Sequence, residues 1–167
     1  MWGSTTPNTA SECTWTNAPF NNGSSDYDEE YFDSVKDTVY PNNVLAKEYD
    51  TVSQIMGGGW RMPTKAEFDE LISNTTTGWI EDFNGSGVNG RKFTSKKDTS
   101  KYIFIPASGV RSDSSFFLKD RYCRVWSSSL STPLSNTAFY LSSDSIGIGA
   151  DNEGDRSGGF SIRGVFK

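Results

Sequence analysis

The sequence predicts an α+β domain in which two helices precede a run of short strands. Three observations carry that reading. A helix start is written out at Pro63-Thr64-Lys65-Ala66-Glu67, where Pro63 blocks a helix upstream and Thr64 and Glu67 form the two halves of a capping box. Beyond residue 74 the helical spacing of apolar residues gives way to short strand-like runs separated by Gly, Ser and Asn clusters. The composition joins 14% aromatic residues to only 34% hydrophobic ones, with 16 glycines, which describes a loop-rich domain whose core rests on Trp and Phe. Disordered chains are poor in aromatics, so disorder does not fit. At 167 residues, one domain over residues 1–167 is the economical expectation.

Taken in order, residues 1–42 are polar and irregular, with Pro7, Pro19, Pro41 and the acidic run Asp26-Tyr27-Asp28-Glu29-Glu30-Tyr31-Phe32-Asp33. The aromatics threaded through it (Trp2, Trp15, Phe20, Tyr27, Tyr31, Phe32) predict a long ordered loop packed onto the domain, with the acidic run as solvated surface. A first helix falls within residues 44–56, starting near Asp50 as N-cap and ended by Gly57-Gly58-Gly59, since glycine accepts the left-handed geometry of a helix terminus. The second runs over residues 64–74, with Phe68, Leu71 and Ile72 on one face.

Gly85-Ser86-Gly87-Val88-Asn89-Gly90 is a turn cluster, and residues 91–96 and 101–106 read as a hairpin around Lys97-Asp98-Thr99. Tyr102-Ile103-Phe104-Ile105 is apolar on both sides, as in a central strand. Residues 125–130, 137–142 and 160–166 are further strands. The last is expected to be buried, with Phe160, Ile162 and Phe166 facing the core. Glycine- and serine-rich loops join them, notably residues 143–159, and no repeat of solenoid or propeller period is present.

Charge and composition exclude several classes. A net charge of −5 and a pI near 4.7 argue against a nucleic-acid partner. No apolar run approaches the ~18 residues of a membrane span. Met1-Trp2-Gly3 lacks the charged and apolar parts of a signal peptide, although such a chain can be exported within something longer. Histidine is absent, which removes the commonest general base and metal ligand. Cys13 and Cys123 either pair or, for Cys123, form a small buried residue in a strand.

Gly58-Gly59-Trp60-Arg61-Met62-Pro63-Thr64, Glu67-Phe68, the Asn89-Gly90 turn before Phe93-Thr94-Ser95-Lys96, and Ile105-Pro106-Ala107-Ser108-Gly109-Val110-Arg111 follow one pattern with Val125-Trp126-Ser127-Ser128-Ser129, Ala138-Phe139-Tyr140-Leu141 and residues 156–163. Together they resemble the Fibrobacter succinogenes major paralogous domain, a family abundant in gut Bacteroidetes and their phages. The resemblance covers about residues 40–166, and Trp2-Gly3 resembles the pair that precedes the family's variable loop. It implies a C-type lectin-like fold of the formylglycine-generating-enzyme subgroup, which includes the variable proteins of diversity-generating retroelements. In those proteins the scaffold is fixed and residues toward the C-terminus are mutated to change ligand specificity. Two departures stand out. The family usually has a strand upstream of the Trp-Gly pair, so either the domain starts earlier in a longer protein or it completes its sheet otherwise. Cys123-Arg124 stands where the family generally has Gly or Asn, which suggests a tolerant, exposed position.

The enzyme that names the subgroup needs a neighbouring pair of copper-binding thiols. Cys123 has no cysteine near it in sequence, so no catalysis is expected. Asp151, Asn152, Glu153 and Asp155 around Gly154 could suit calcium, but the spacing is not that of an EF-hand and the Glu-Pro-Asn tripeptide of calcium-dependent lectins is missing. An acidic hairpin loop without metal or cofactor is the expectation. Arg61, Arg111, Arg156 and Arg163 read as scaffold that bridges loops through a planar fork of donors, and Trp60 and Trp126 as core.

Ligand binding is expected on residues 118–159, the segment the resemblance makes variable. Lys119, Asp120, Arg121, Tyr122 and Arg124 bring mixed charge and a ring together before Trp126. Tyr140, Ser142, Asp144, Ile146, Ile148 and Asp151 then alternate, which along a strand places them on one face. Tyr and Arg are frequent hot-spot residues. The same pattern also describes ordinary strand and loop decoration. The expected function is a hypervariable, non-catalytic adhesin or receptor-binding domain at a cell surface or virion, with a protein or glycan ligand. The alternatives are a surface or virion decoration domain without a dedicated ligand and, more remotely, an enzyme of the formylglycine-generating type.

Overall fold

The computed structural model describes residues 1–112, 115–132 and 134–166. The expected α+β class holds, with small antiparallel sheets, but the α-helices number three among the described residues. The additional one is α1 (Glu29–Val39), inside the segment expected to be irregular. The acidic run is a helix start: the Asp28 carboxylate accepts from the Tyr31 amide, and Glu29 and Glu30 sit in the first turn, where the helix dipole favours negative charge. Phe32 and Val39 turn inward from it.

The next two helices follow expectation closely. In α2 (Thr51–Met56) Asp50 is the N-cap, accepting from the amides of both Ser53 and Met62 at 2.8 Å, and Gly57 ends it at φ 65°. Helix α3 (Lys65–Asn74) has the full capping box. Glu67 also receives Arg61 through both guanidinium nitrogens, at 2.6 and 2.5 Å. That pairing holds the Glu67 carboxyl at about 2, well below the ordinary carboxylate range.

Ten strands are described. Strand β1 (Trp60–Arg61) pairs with β10 (Val165–Phe166). β2 (Thr75–Ile80), β3 (Gly90–Ser95) and β4 (Tyr102–Pro106) form an antiparallel sheet in that order. β4 is therefore an edge rather than a central strand, and Tyr102 and Ile103 are exposed. β5 (Val110–Ser112) pairs with β6 (Ser115–Phe117). β7 (Cys123–Leu130), β8 (Thr137–Ser143) and β9 (Ile148–Asp155) form the last sheet. β9 occupies the stretch expected to be loop: its Gly, Asp and Asn content is poor for a strand, and its pairing along β8 overrides local preference.

The β7–β8–β9 sheet divides two cores. Trp126, Ala138 and Tyr140 point to one, shared with Trp2, Phe32 and Tyr40 of the N-terminal segment. Cys123, Val125 and Leu141 point to the other, shared with Phe68 of α3 and Phe93 and Ile105 of the first sheet. The side chains alternate, as the period of a strand requires. Cys123 is fully buried, not at an exposed position.

The N-terminal segment is held by Arg156, which is 0% exposed. Its guanidinium lies 4.2 Å from the Phe32 ring centre, 5.4 Å from Tyr27 and 5.8 Å from Trp15. Its Nε donates to the Ser135 carbonyl at 3.0 Å. Trp2 stacks on Tyr40 at 5.0 Å and donates its indole N–H to the Ser127 carbonyl.

The C-terminal segment departs from expectation. Only Val165–Phe166 is a strand; Phe160 is half-buried, Ile162 exposed, and Phe166 67% exposed. Isolated bridges Arg111↔Gly159 and Val125↔Ser161 carry this segment instead of a continuous ladder, so alternation does not place its side chains. Trp60 is likewise half-buried, lying against Phe166 at 5.4 Å.

Two stability measurements check this arrangement. Phe93→Ala should cost about 3–5 kcal/mol in urea unfolding, because it empties a full core site. Phe166→Ala should cost about 1 kcal/mol or less, the scale of one exposed ring pair. For Glu67 the folded pKa is depressed, so its stabilising effect is present above the ordinary value of 4.5 and is lost as pH falls toward about 2. Glu67→Gln should therefore flatten the acid limb of stability against pH within that window, read from urea midpoints.

Candidate functional site

The eleven residues expected to bind ligand are distributed over three places. The first is the β6–β7 connection. Leu118 and Asp120 have positive φ, 61° and 64°, and the turn is fixed from below by Asp120 N–H donating to Ala107 O and Asn89 Nδ2 donating to Asp120 O. Gly109, at φ 71°, lets the chain pass directly under this turn, since a Cβ there would collide with the Phe117 carbonyl. Lys119, Asp120 and Arg121 are thereby exposed on an ordered turn.

The second place is the face of the sheet toward the first core. The Arg124 guanidinium lies 5.3 Å from the Tyr140 ring centre, 5.4 Å from Phe160 and 5.8 Å from Tyr122. Phe160 stacks on Trp126 at 4.1 Å and meets Tyr140 edge-on at 4.8 Å. Tyr140 is only 7% exposed, so it belongs to the core and is not a free ligand contact. Tyr122, Arg124 and Ser142 are half-buried around it.

The third place is the β8–β9 turn. The Asp144 carboxylate accepts from the amides of Ile146 and Gly147, and those bonds hold its pKa below the ordinary range. The carbonyls of Asp144 and Gly147 accept from Nη2 of the buried Arg91, whose Nε donates to Ser143 Oγ. This ties the turn to the other sheet and leaves Ile146, 93% exposed, at its tip. Ile148 packs against the second core, and Asp151 is ion-paired with Lys65 of α3 at 2.5 Å.

The expectation of one shared face for Tyr140, Ser142, Asp144, Ile146, Ile148 and Asp151 is thus overturned. A register shift between Tyr140 and Ser142 breaks the alternation, and Asp144 and Ile146 sit on the turn itself. Asp151, Asn152, Glu153 and Asp155 run along β9 rather than around a loop. Asp151 faces Lys65, Asn152 donates to Gly149 O, and Asp155 accepts from Asn136. Among the described residues there is no group of three or more His, Cys, Asp or Glu able to hold a metal.

Sequence reasoning missed three features. One is Arg91, the buried anchor of the β8–β9 turn, which looks like any basic residue of a hairpin. The second is the pair Phe116 and Phe117 on β6, 51% and 48% exposed and followed by Leu118 at 37%. Three apolar residues in a row within a polar stretch were the available signal. The third is a groove of about 580 Å³ between the N-terminal loop, α2, the β5–β6 hairpin and the segment from Gly159 to Ile162. Of the expected residues only Lys119 lines it.

Both cysteines are free and buried. Cys123 donates to Ile105 O within the second core, and burial pushes its thiol up to about 11. Cys13 donates to Thr9 O and lies beneath Gly159; burial raises its pKa too. No helix among the described residues is long and apolar enough to cross a membrane. No family model, curated protein or solved structure matches the chain.

A thiol held neutral and covered does not attack an electrophile. With a maleimide or aromatic disulfide at mildly alkaline pH, Cys123 should stay unmodified in the native protein and react at once in denaturant, as followed by intact mass.

Proposed function

We propose that the chain is a non-catalytic ligand-binding domain with a C-type lectin-like fold, as its resemblance to the Fibrobacter succinogenes major paralogous domain implies. Helices α2 and α3 followed by small antiparallel sheets with long connections suit that fold. The observation that carries the binding reading is the β5–β6 hairpin and its continuation. Phe116, Phe117 and Leu118 expose apolar surface beside the exposed Lys119, Asp120 and Arg121. Contiguous exposed aromatic and Arg side chains on a fixed turn have the chemistry of an interaction hot spot. The separate burial of Cys13 and Cys123 in different parts of the structure weighs against thiol chemistry.

In this reading the domain is displayed at a cell surface or virion and binds a protein or glycan there. A diversity-generating retroelement rewrites exposed turn codons within residues 118–151, at Lys119–Arg121 and at the β8–β9 tip, and spares the β7 and β8 positions that build the two cores. A neighbouring reverse transcriptase gene with a template repeat differing only at adenines would accompany such a domain.

The purified domain should bind at least one member of a glycan or surface-protein array. The triple variant Phe116→Ala, Phe117→Ala, Arg121→Ala should keep its urea midpoint, since exposed substitutions usually shift stability by less than about 0.5 kcal/mol each. Its binding should fall by about 30-fold or more, because truncating one hot-spot anchor often costs ~2 kcal/mol. Unchanged binding by a folded triple variant would remove the hairpin from the site.

A further inference from the structure

The groove beside the hairpin has a charge that the rest of the molecule does not lead one to expect. The chain is acidic, at net −5, yet the charged side chains among the groove's described lining residues are Arg111 and Lys119, with no carboxylate. Arg111 is fixed at both ends. Its amide and carbonyl pair with Gly159, and its Nη1 donates to Asn8 O at 2.6 Å. The guanidinium lies 5.9 Å from the Phe116 ring centre, so cation and ring occupy the same wall.

Phe160 and Ile162 supply apolar lining, and the remaining polar lining is largely hydroxyl, including the Ser108–Ser161 pair at 2.6 Å. A volume of about 580 Å³ falls within the range of roughly 300–1,000 Å³ typical of small-ligand sites and is small for a protein epitope.

We infer that this groove takes an acidic sugar residue, its carboxylate held between Arg111 and Lys119 and its ring against Phe116. The inference rests on the binding function proposed above and names its ligand class. Each part of the assignment follows from the lining. A guanidinium offers a carboxylate a planar fork of donors and an ammonium adds a point charge. Hydroxyls that both donate and accept match a polyhydroxylated ring. The aromatic wall covers the ring's apolar face.

The test is isothermal titration of the intact domain with an oligogalacturonate and with its methyl ester, which keeps the rings and removes the charge. The free acid should bind about tenfold tighter or better, the worth of one charge-assisted contact, and should weaken as salt rises. Lys119→Glu, at an exposed position, should remove that preference at an unchanged urea midpoint, and Arg111→Lys should weaken the acid while sparing the ester. Equal binding of acid and ester overturns the inference, as does an acid preference that survives in Lys119→Glu, tighter binding of oligoglutamate, or no binding of either oligomer. If those failures occur while the triple hairpin variant still loses its array ligand, the sugar assignment alone falls. If that variant keeps its array ligand, the hairpin is removed from the binding site and the placement on which the inference rests falls with it.

Discussion

Burying a guanidinium is costly unless its charge and its N–H groups find partners, and Arg156 has no carboxylate in contact among the described residues. What it has is rings. Phe32, Tyr27 and Trp15 surround it, Ser135 O accepts from Nε, and the Tyr40 hydroxyl lies 3.4 Å from Nη1. A desolvated cation over aromatic faces is worth about 2 kcal/mol or more per favourable contact. Because those rings all come from residues 15–40 and Arg156 comes from the end of β9, this one side chain joins the N-terminal segment to the central sheet. Trp2 completes the closure, its backbone N–H donating to Arg156 O and its indole to Ser127 O.

Arg91 repeats the device on the other side of the sheet. It too is buried with no carboxylate in hydrogen-bond contact among the described residues, and its donors go to Ser143, Thr77 and the carbonyls of the β8–β9 turn. The two arginines thus convert long irregular connections into fixed ones. The surface that follows includes turns held from below: the Lys119–Arg121 turn and the tip at Ile146. Side chains on such turns can change without disturbing either core, which is the property a variable binding domain needs.

How much of this was legible in the sequence depended on whether the signal was local. Thr64 and Glu67 announce α3 within four residues, and Asp50 and Gly57 bracket α2. Asp28 does the same for α1, but the carboxylates around it also suit a solvated loop, and the choice is made only by Phe32 meeting Arg156 across more than a hundred residues. β9 is unreadable locally because Gly, Asp and Asn speak against a strand; it exists because β8 offers it a ladder. The alternation from Tyr140 to Asp151 failed for a related reason. A bulge and a turn interrupt the strand; Asp144 and Gly147 mark the turn, but the bulge has no local signature. At the C-terminus the apolar spacing of Phe160, Ile162 and Phe166 was real, but a segment held by isolated bridges need not put its side chains on one side. Arg111 and Lys119 line one groove whose walls meet only through tertiary pairing such as the Arg111–Gly159 bridge, so the groove's charge was not visible in the chain.

The central claim is that the N-terminal segment and the β7–β8–β9 sheet form one cooperative unit through Arg156. Native-state hydrogen exchange measures this directly. The amides of Trp2, Phe32, Trp126 and Arg156 should exchange at one common free energy equal to that of global unfolding. If Trp2 and Phe32 instead open at a much lower free energy while Trp126 stays protected, the N-terminal segment is an appendage and the account of what holds this fold together is wrong.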